Sequence, residues 1–113
     1  MATATFVHHG DSIDYTPGSD VSAGDVVVLN DLVGVAKRDI TASTLGALAV
    51  AGVFDFPKAT GVGSGIAAGK KVYWDAGDSE AKEDDESGAN AYLGKTVKAA
   101  GDDDETVRVR LSQ

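Results

Sequence analysis

The segment 61–75, GVGSGIAAGKKVYWD, contains the residue types with which many proteins bind phosphate. A P-loop needs a glycine, four further residues, Gly-Lys and then a Ser or Thr hydroxyl for magnesium. With 69–70 as the Gly-Lys pair, Ser64 stands at the first glycine position and Lys71 at the hydroxyl position. Both differences remove groups that the chemistry needs, so the sequence does not predict a P-loop.

Residues 63–68 of the same segment match the dinucleotide-binding pattern Gly-x-Gly-x-x-Ala. That pattern binds a phosphate only where a helix follows and directs its first amides at the ligand. Here Gly69 follows directly, and the next residues, KKVYW, are typical of a strand. We therefore predict a structural turn that leads into a strand, and no cofactor site.

Metal sites and catalytic groups have little support in the rest of the sequence. His8 and His9 would point to opposite faces of a strand, so we favour exposed polar residues over a weak site shared with Asp11 and Asp14. The acidic segments lack the order of an EF-hand loop, so we favour solvated loops over adventitious calcium or magnesium binding. There is no cysteine and no Gly-x-Ser-x-Gly motif, and we predict neither catalytic residues nor metal ligands.

Composition narrows the class of protein. The 113 residues suit one domain, 1–113, and the absence of cysteine excludes disulfides and thiolate metal sites. A net charge of -8 disfavours binding to nucleic acid or to an anionic membrane surface. Seven of the 18 acidic residues lie within 75–86 and four within 102–105, so the charge is concentrated in two loops. Lacking an apolar span and a signal-peptide pattern, the chain is expected to be made in the cytoplasm.

The dominant pattern is that of short β-strands with glycine-rich turns. Residues 26–29 and 32–40 predict a hairpin around the turn pair Asn30-Asp31, and 106–111 alternates between apolar and polar residues. Shorter strands are predicted at 6–9, 13–15 and 96–100. Residues 45–56 predict one long bent strand with a bulge or corner at Gly52, with a helix capped by Ser43 as the alternative. The fold class is therefore all-β, a small barrel or a sandwich with at most a short helix.

A weak internal repeat accompanies this pattern. Residues 23–28 resemble 68–73, and 32–35 resemble 92–95, so that in each case a small-Gly-polar turn opens a strand and a glycine-containing strand follows. We interpret the repeat as two related hairpins in one sheet system. Within the second hairpin, Tyr73 and Trp74 alternate in direction, which places one ring in the core and leaves the other for the core edge or an interface.

In addition, several blocks of the sequence resemble one known family. The segments SAGDVVVLNDLVGVAKRDI, GALAVAGVFDFPKAT, IAAGKKVYWD, YLGKTVKAA and ETVRVRLSQ are similar to those of small phage proteins regarded as capsid cement or head decoration proteins, some of which have carried a recombinase-like label. The resemblance extends from about Phe6 to Leu111 and is weakest in the acidic stretch 78–88. It implies a compact β domain that binds the outside of an icosahedral phage head and stabilises it.

The resemblance also implies a partner and a location. The partner would be the major capsid protein, the location the exterior of the virion capsid, and the oligomer, on the family pattern, a trimer. We expect a flexible arm at 1–6 that orders by adding a strand to a capsid edge. An acidic loop at 78–90 would face solvent. The candidate residues for a capsid or subunit interface are Thr3, Thr5, Phe6 and Trp74.

Two other classes of function stay open from the residues alone. A small ligand- or carbohydrate-binding β module would need convergent aromatic and polar groups, whereas at least four of the seven aromatic residues are expected in the core. A hydrolase that uses paired carboxylates is the second alternative, since any small acidic protein contains such pairs. The motif differences described above disfavour an enzyme.

Overall fold

In the computed structural model, which describes residues 3–113, the chain folds into two antiparallel β-sheets. Within those residues there are nine strands and a single turn of 3-10 helix, and neither sheet closes into a barrel. The all-β prediction is confirmed. The same residues contain no helix long and apolar enough to cross a membrane.

The first sheet has the spatial order β1-β4-β3-β2 and contains β1 (Ser12–Tyr15), β2 (Val26–Leu29), β3 (Leu32–Ala36) and β4 (Gly46–Ala49). The second sheet has the order β5-β9-β8-β6-β7 and contains β5 (Gly52–Pro57), β6 (Lys71–Asp75), β7 (Glu80–Lys82), β8 (Ala91–Thr96) and β9 (Thr106–Leu111). The 3-10 turn, Glu86–Gly88, connects β7 to β8. We call residues 12–49 the first half and residues 52–111 the second half.

Two local predictions are confirmed by the strand pairing. β2 and β3 form a hairpin in which Leu29 faces Leu32, and Asn30 adopts a φ of 56°, as a two-residue hairpin turn requires. In β9 the residues alternate strictly between exposed and buried along the strand. Its apolar side chains therefore form one wall of the core, and its two arginines lie on the outer face.

The prediction of one long strand over 45–56 is wrong. The chain leaves the first sheet after Ala49 and enters the second at Gly52, so β4 and β5 are separate strands in different sheets. The expected corner at Gly52 is present, because its φ of 125° suits glycine and changes the chain direction. The helical alternative is also wrong, since both segments are strands.

Other segments differ from the predicted elements in their extent. Residues 6–9 form no strand, and the strand expected at 96–100 is the end of β8 followed by an isolated bridge at Ala100. The segment 78–90 is not a loop throughout, because β7 and the 3-10 turn lie within it. Of the predicted arm at 1–6, residues 1 and 2 lie outside the described part of the chain.

The two halves have the same topology. The order β1-β4-β3-β2 in the first half matches β5-β9-β8-β6 in the second, and β7 is an addition at the edge. Equivalent residues also face each other in the two sheets: Ile13–Leu48 corresponds to Phe54–Val109, Val27–Gly34 to Val72–Gly94, Ala36–Leu48 to Thr96–Val109, and the bridge Val21–Ile40 to Ile66–Ala100. The predicted hairpins are therefore parts of a full structural repeat, and they lie in two sheets instead of one sheet system.

The halves meet through β3, which is buried on both faces. Val33 and Val35 belong to the larger core cluster with residues of the second half, whereas Ala36 belongs to the smaller cluster of the first half. Leu93, the equivalent of Val33, is also fully buried in the larger cluster. The equivalent strands β3 and β8 thus meet in the core. The two halves of the chain are arranged like the two subunits of an isologous dimer.

Gln113 provides a second link between the halves. Its side-chain Nε2 donates a hydrogen bond of 2.6 Å to the carbonyl oxygen of Val33, and its Oε1 accepts one from the Val33 N–H. The side-chain amide thus acts as a further peptide group beside β3. Nearby, the N–H of Ser112 donates to the carbonyl oxygen of Leu93, so the end of β9 is held against β8.

Candidate interaction site

The glycine-rich segment is a structural turn, as predicted. The N–H groups of Gly61 and Ser64 donate to carbonyl oxygens of the chain, and the N–H of Gly65 donates 2.8 Å to Oδ1 of Asp102. After a further turn at Gly69, β6 begins at Lys71. Because these amides already have partners and a strand follows, the segment does not form the helix-based phosphate site that its glycines suggest.

Three of the four predicted interface residues lie together and the fourth lies apart. Thr3, Thr5 and Phe6 are exposed near the start of the described chain. Trp74 is only 7% exposed and packs on Phe56, with 5.9 Å between the ring centroids. Its remaining edge lines a groove of about 550 Å³ that also includes Val28. Any contact that Trp74 makes with a partner is therefore limited to that edge.

The segment 3–10, which we call the arm, forms no helix or strand, and all of its residues are exposed. Phe6 and Val7 are 76% and 81% exposed, which is unusual for large apolar side chains. The arm joins the domain at Asp11, whose carbonyl oxygen accepts a 2.9 Å hydrogen bond from the N–H of Val50. The arm thus carries two exposed apolar side chains and is attached at a fixed point beside β1.

A groove of about 510 Å³ lies next to that attachment point, and we call it the first-half groove. Ala47 and Ala49 of β4 form its floor beside Ser12 of β1. The segment 37–41 and Leu45, which is 70% exposed, form its rim, and Asp11 lies at one end. The groove therefore combines small uncharged side chains on the sheet with charged side chains of the segment 37–39.

The equivalent place in the second half is smaller and has Arg108 at the position of Ala47. Its groove of about 240 Å³ is lined by Asp55, Lys98 and Arg108 among others. Asp55 faces Arg108 across the β5–β9 pair, just as Asp14 faces Ala47 across β1–β4. The guanidinium group of Arg108 donates to both carboxylate oxygens of Asp55, at 3.0 and 3.3 Å, and this contact lowers the pKa of Asp55.

The acidic segment of the second half is organised around one lysine. Nζ of Lys82 lies 2.8 Å from Asp75, 2.7 Å from Asp78 and 3.9 Å from Glu86. The hydrogen bond from Lys82 is the main reason that the pKa of Asp75 is lowered, and Asp75 and Asp78 in turn raise the pKa of Lys82. Among residues 3–113 no three His, Cys, Asp or Glu side chains are arranged to hold a metal ion. The carboxylates therefore order this segment through Lys82.

Comparison with known proteins identifies the family. A family model described as phage cement protein matches residues 7–111, which is nearly the whole chain. The chain belongs to the phage cement protein family. No curated protein and no solved structure was found to match it. Membership of this family associates the chain with the phage virion as a structural protein, and the family is not an enzyme family.

In this cement protein the predicted interface residues Thr3, Thr5 and Phe6 are exposed, but the first-half groove could not be found from the sequence. In the sequence, nothing distinguishes Ala47 and Ala49 from the other alanines and glycines around them. Their importance becomes visible when they are compared with Arg108 and Arg110, which occupy the equivalent positions of β9. That comparison needs the strand register of both sheets.

Proposed function

We propose that this cement protein binds the exterior of a phage head and stabilises it through multivalent non-covalent contacts with the major capsid protein. The observation that carries the proposal is the family match over 7–111. A chain with two packed sheets and an exposed arm suits a role that needs a rigid body and a contact segment. Many copies at symmetry-related sites would convert a modest affinity per contact into a large avidity.

We also propose specific parts for the exposed segments. The arm residues Thr3, Thr5 and Phe6 would make an intermolecular contact, either with the capsid or with a neighbouring subunit, and Trp74 would contribute its exposed edge. The acidic segment 78–90 would face solvent and keep particles apart by charge repulsion. The protein would be made in the host cytoplasm, would reach the capsid exterior and would act without catalysis or cofactor. A trimer is the oligomer expected from the family.

The alternative functions have weaker support in the structure. A carbohydrate-binding module needs aromatic faces open to a ligand, whereas Phe54, Phe56 and Trp74 pack on one another. Tyr73 and Tyr92 are half-buried and paired with 5.5 Å between their centroids. No contact in the described part of the chain favours a hydrolase over the structural role.

Co-sedimentation with purified heads that lack the protein tests the proposal. We expect saturable binding at micromolar concentration and an increase in the temperature at which the heads release DNA. Protein that stays in the supernatant at that concentration, although folded by circular dichroism, would refute attachment to the head. Deletion of residues 2–6 tests the arm, since unchanged binding would exclude it as a capsid contact.

A further inference from the structure

We propose that the first-half groove binds the arm of a second copy of the chain, so that neighbouring cement subunits are joined by their arms. The proposal concerns contact between copies and does not depend on attachment to the head. It rests on the difference between two equivalent grooves and on the apolar residues of the arm.

The first-half groove has an alanine, Ala47, where the second half has Arg108. In the second half Arg108 covers the outer face of the sheet and pairs with Asp55. In the first half the equivalent acid, Asp14, faces Ala47, which carries no group that could pair with it and which lines the first-half groove. The first half therefore keeps the acidic residue of the pair but lacks the arginine, so that another polypeptide segment can contact the sheet at Ala47.

The arm has the chemistry that this floor accepts. Residues 3–7, TATFV, carry no charged side chain, and Ala47 and Ala49 on the sheet are likewise uncharged, whereas the charged residues of the groove are Asp11 and those of the segment 37–39. Phe6 and Val7 expose most of their surface, and so does Leu45 at the rim of the groove. Bringing these apolar groups together removes them from water, which is the usual source of affinity at such a contact.

The position of the arm favours a second copy over its own domain. The arm starts at Asp11, at one end of its own groove, and all of its residues are exposed, so it does not pack on its own domain. Eight extended residues reach about 26 Å from that point. Since each copy has one arm and one groove, two copies can exchange arms in a two-fold dimer, or arm donation can close into a larger ring or continue as a chain.

Directed cross-linking tests the contact, because the chain has no cysteine. One protein carries Phe6→Cys, and a second, longer by a tag, carries Ala47→Cys. We expect the mixed disulfide to form on mild oxidation far more readily than with Val62→Cys as the partner, an exposed control position outside the groove. Equal yields with both partners would overturn the proposal. A disulfide within one chain of the doubly substituted protein at high dilution would also overturn it, since the arm would then occupy its own groove.

Sedimentation equilibrium of the full chain provides a second test that needs no cysteine. We expect concentration-dependent association that Phe6→Ala weakens by about tenfold or more in dissociation constant. Ala47→Arg should weaken it similarly, since the new arginine would pair with Asp14 as Arg108 pairs with Asp55 and would fill the groove without disturbing the fold. The control Val62→Ala, at a fully exposed valine outside the groove, should leave association unchanged.

The outcomes separate this proposal from the proposed function. If Phe6→Ala abolishes binding to heads but leaves association between copies unchanged, the arm contacts the capsid and the inference is wrong. If the chain is a monomer at all concentrations and no mixed disulfide forms, the inference is wrong whatever the heads bind. If association depends on Phe6 and Ala47 while the protein fails to bind heads, the inference stands and the proposed function fails.

Discussion

The first and second halves share strand order and pairing register, yet they use the outer face of the sheet differently. In the second half, Arg108 and Asp55 close that face with a salt bridge at the surface. In the first half, alanines leave it open beside the base of the arm. A surface salt bridge adds little stability, so its absence costs the first half little. The comparison shows that two repeats can keep the same strand pairing and differ in the residues of one outer face, which then becomes available for contact with another molecule.

The largest expected effect on stability is that of a core substitution in the first half, which also tests whether the two halves unfold together. Leu48 is fully buried in the core of the first half, so Leu48→Ala should lower the free energy of unfolding by about 2–5 kcal/mol. Because β3 packs on both halves, we expect one transition, with coincident curves for Trp74 fluorescence and far-ultraviolet circular dichroism. Unfolding seen by circular dichroism while the Trp74 signal stays native would show that the halves are independent.

The link through Gln113 should have an intermediate effect. Replacing Gln113 with alanine leaves the N–H and the carbonyl oxygen of Val33 without their side-chain partner, and Val33 is fully buried. The expected cost is about 1–3 kcal/mol, measured by urea unfolding. Gln113→Glu is a matched variant that keeps an acceptor and loses the amide donor, and it should be destabilised as well. Stability equal to that of the parent chain in both variants would show that the pairing contributes nothing.

Exchanging the outer-face residues should have a smaller effect on stability. We expect Ala47→Arg to leave the free energy of unfolding within about 0.5 kcal/mol of the parent chain, because the change is at a surface position with Asp14 opposite. Thermal unfolding followed by circular dichroism measures it. A loss of several kcal/mol would mean that the outer faces of the two halves are not equivalent.

The smallest expected effect on stability concerns the acidic segment around Lys82, which only the second half has. The hydrogen bond from Lys82 holds the pKa of Asp75 below its ordinary value of 3.8. Since the pKa is lower in the folded than in the unfolded chain, the carboxylate stabilises the fold above about pH 4, and the contribution is lost as the pH falls through the folded value. We expect Asp75→Asn to reduce the acid dependence of the unfolding midpoint, with Asp103→Asn as the control. An unchanged dependence would contradict the role of this contact.

Local features of the fold could be predicted from the sequence where one rule decides the structure. The alternation of 106–111 requires a strand with one buried face, and Asn30-Asp31 between apolar runs requires a tight turn. The turn at Gly69 followed likewise from its position before β-branched and aromatic residues. These features depend on neighbours in the sequence and on no distant partner.

Features that depend on distant partners could not be predicted. Gly52 marks a corner, but nothing in the sequence distinguishes a bend within one strand from the change of sheet between β4 and β5. The residues FVHH favour a strand by composition but have no strand to pair with. The groove follows from a comparison of Ala47 with Arg108, which becomes possible only when the registers of both sheets are known.

The most direct test of the account is an electron cryomicroscopy reconstruction of phage heads incubated with the purified protein. We expect additional density of the size of this two-sheet domain on the outer surface of the shell. It should lie at symmetry-related positions in contact with the major capsid protein. Heads that remain bare at saturating protein, or density confined to the inside of the shell, would contradict it.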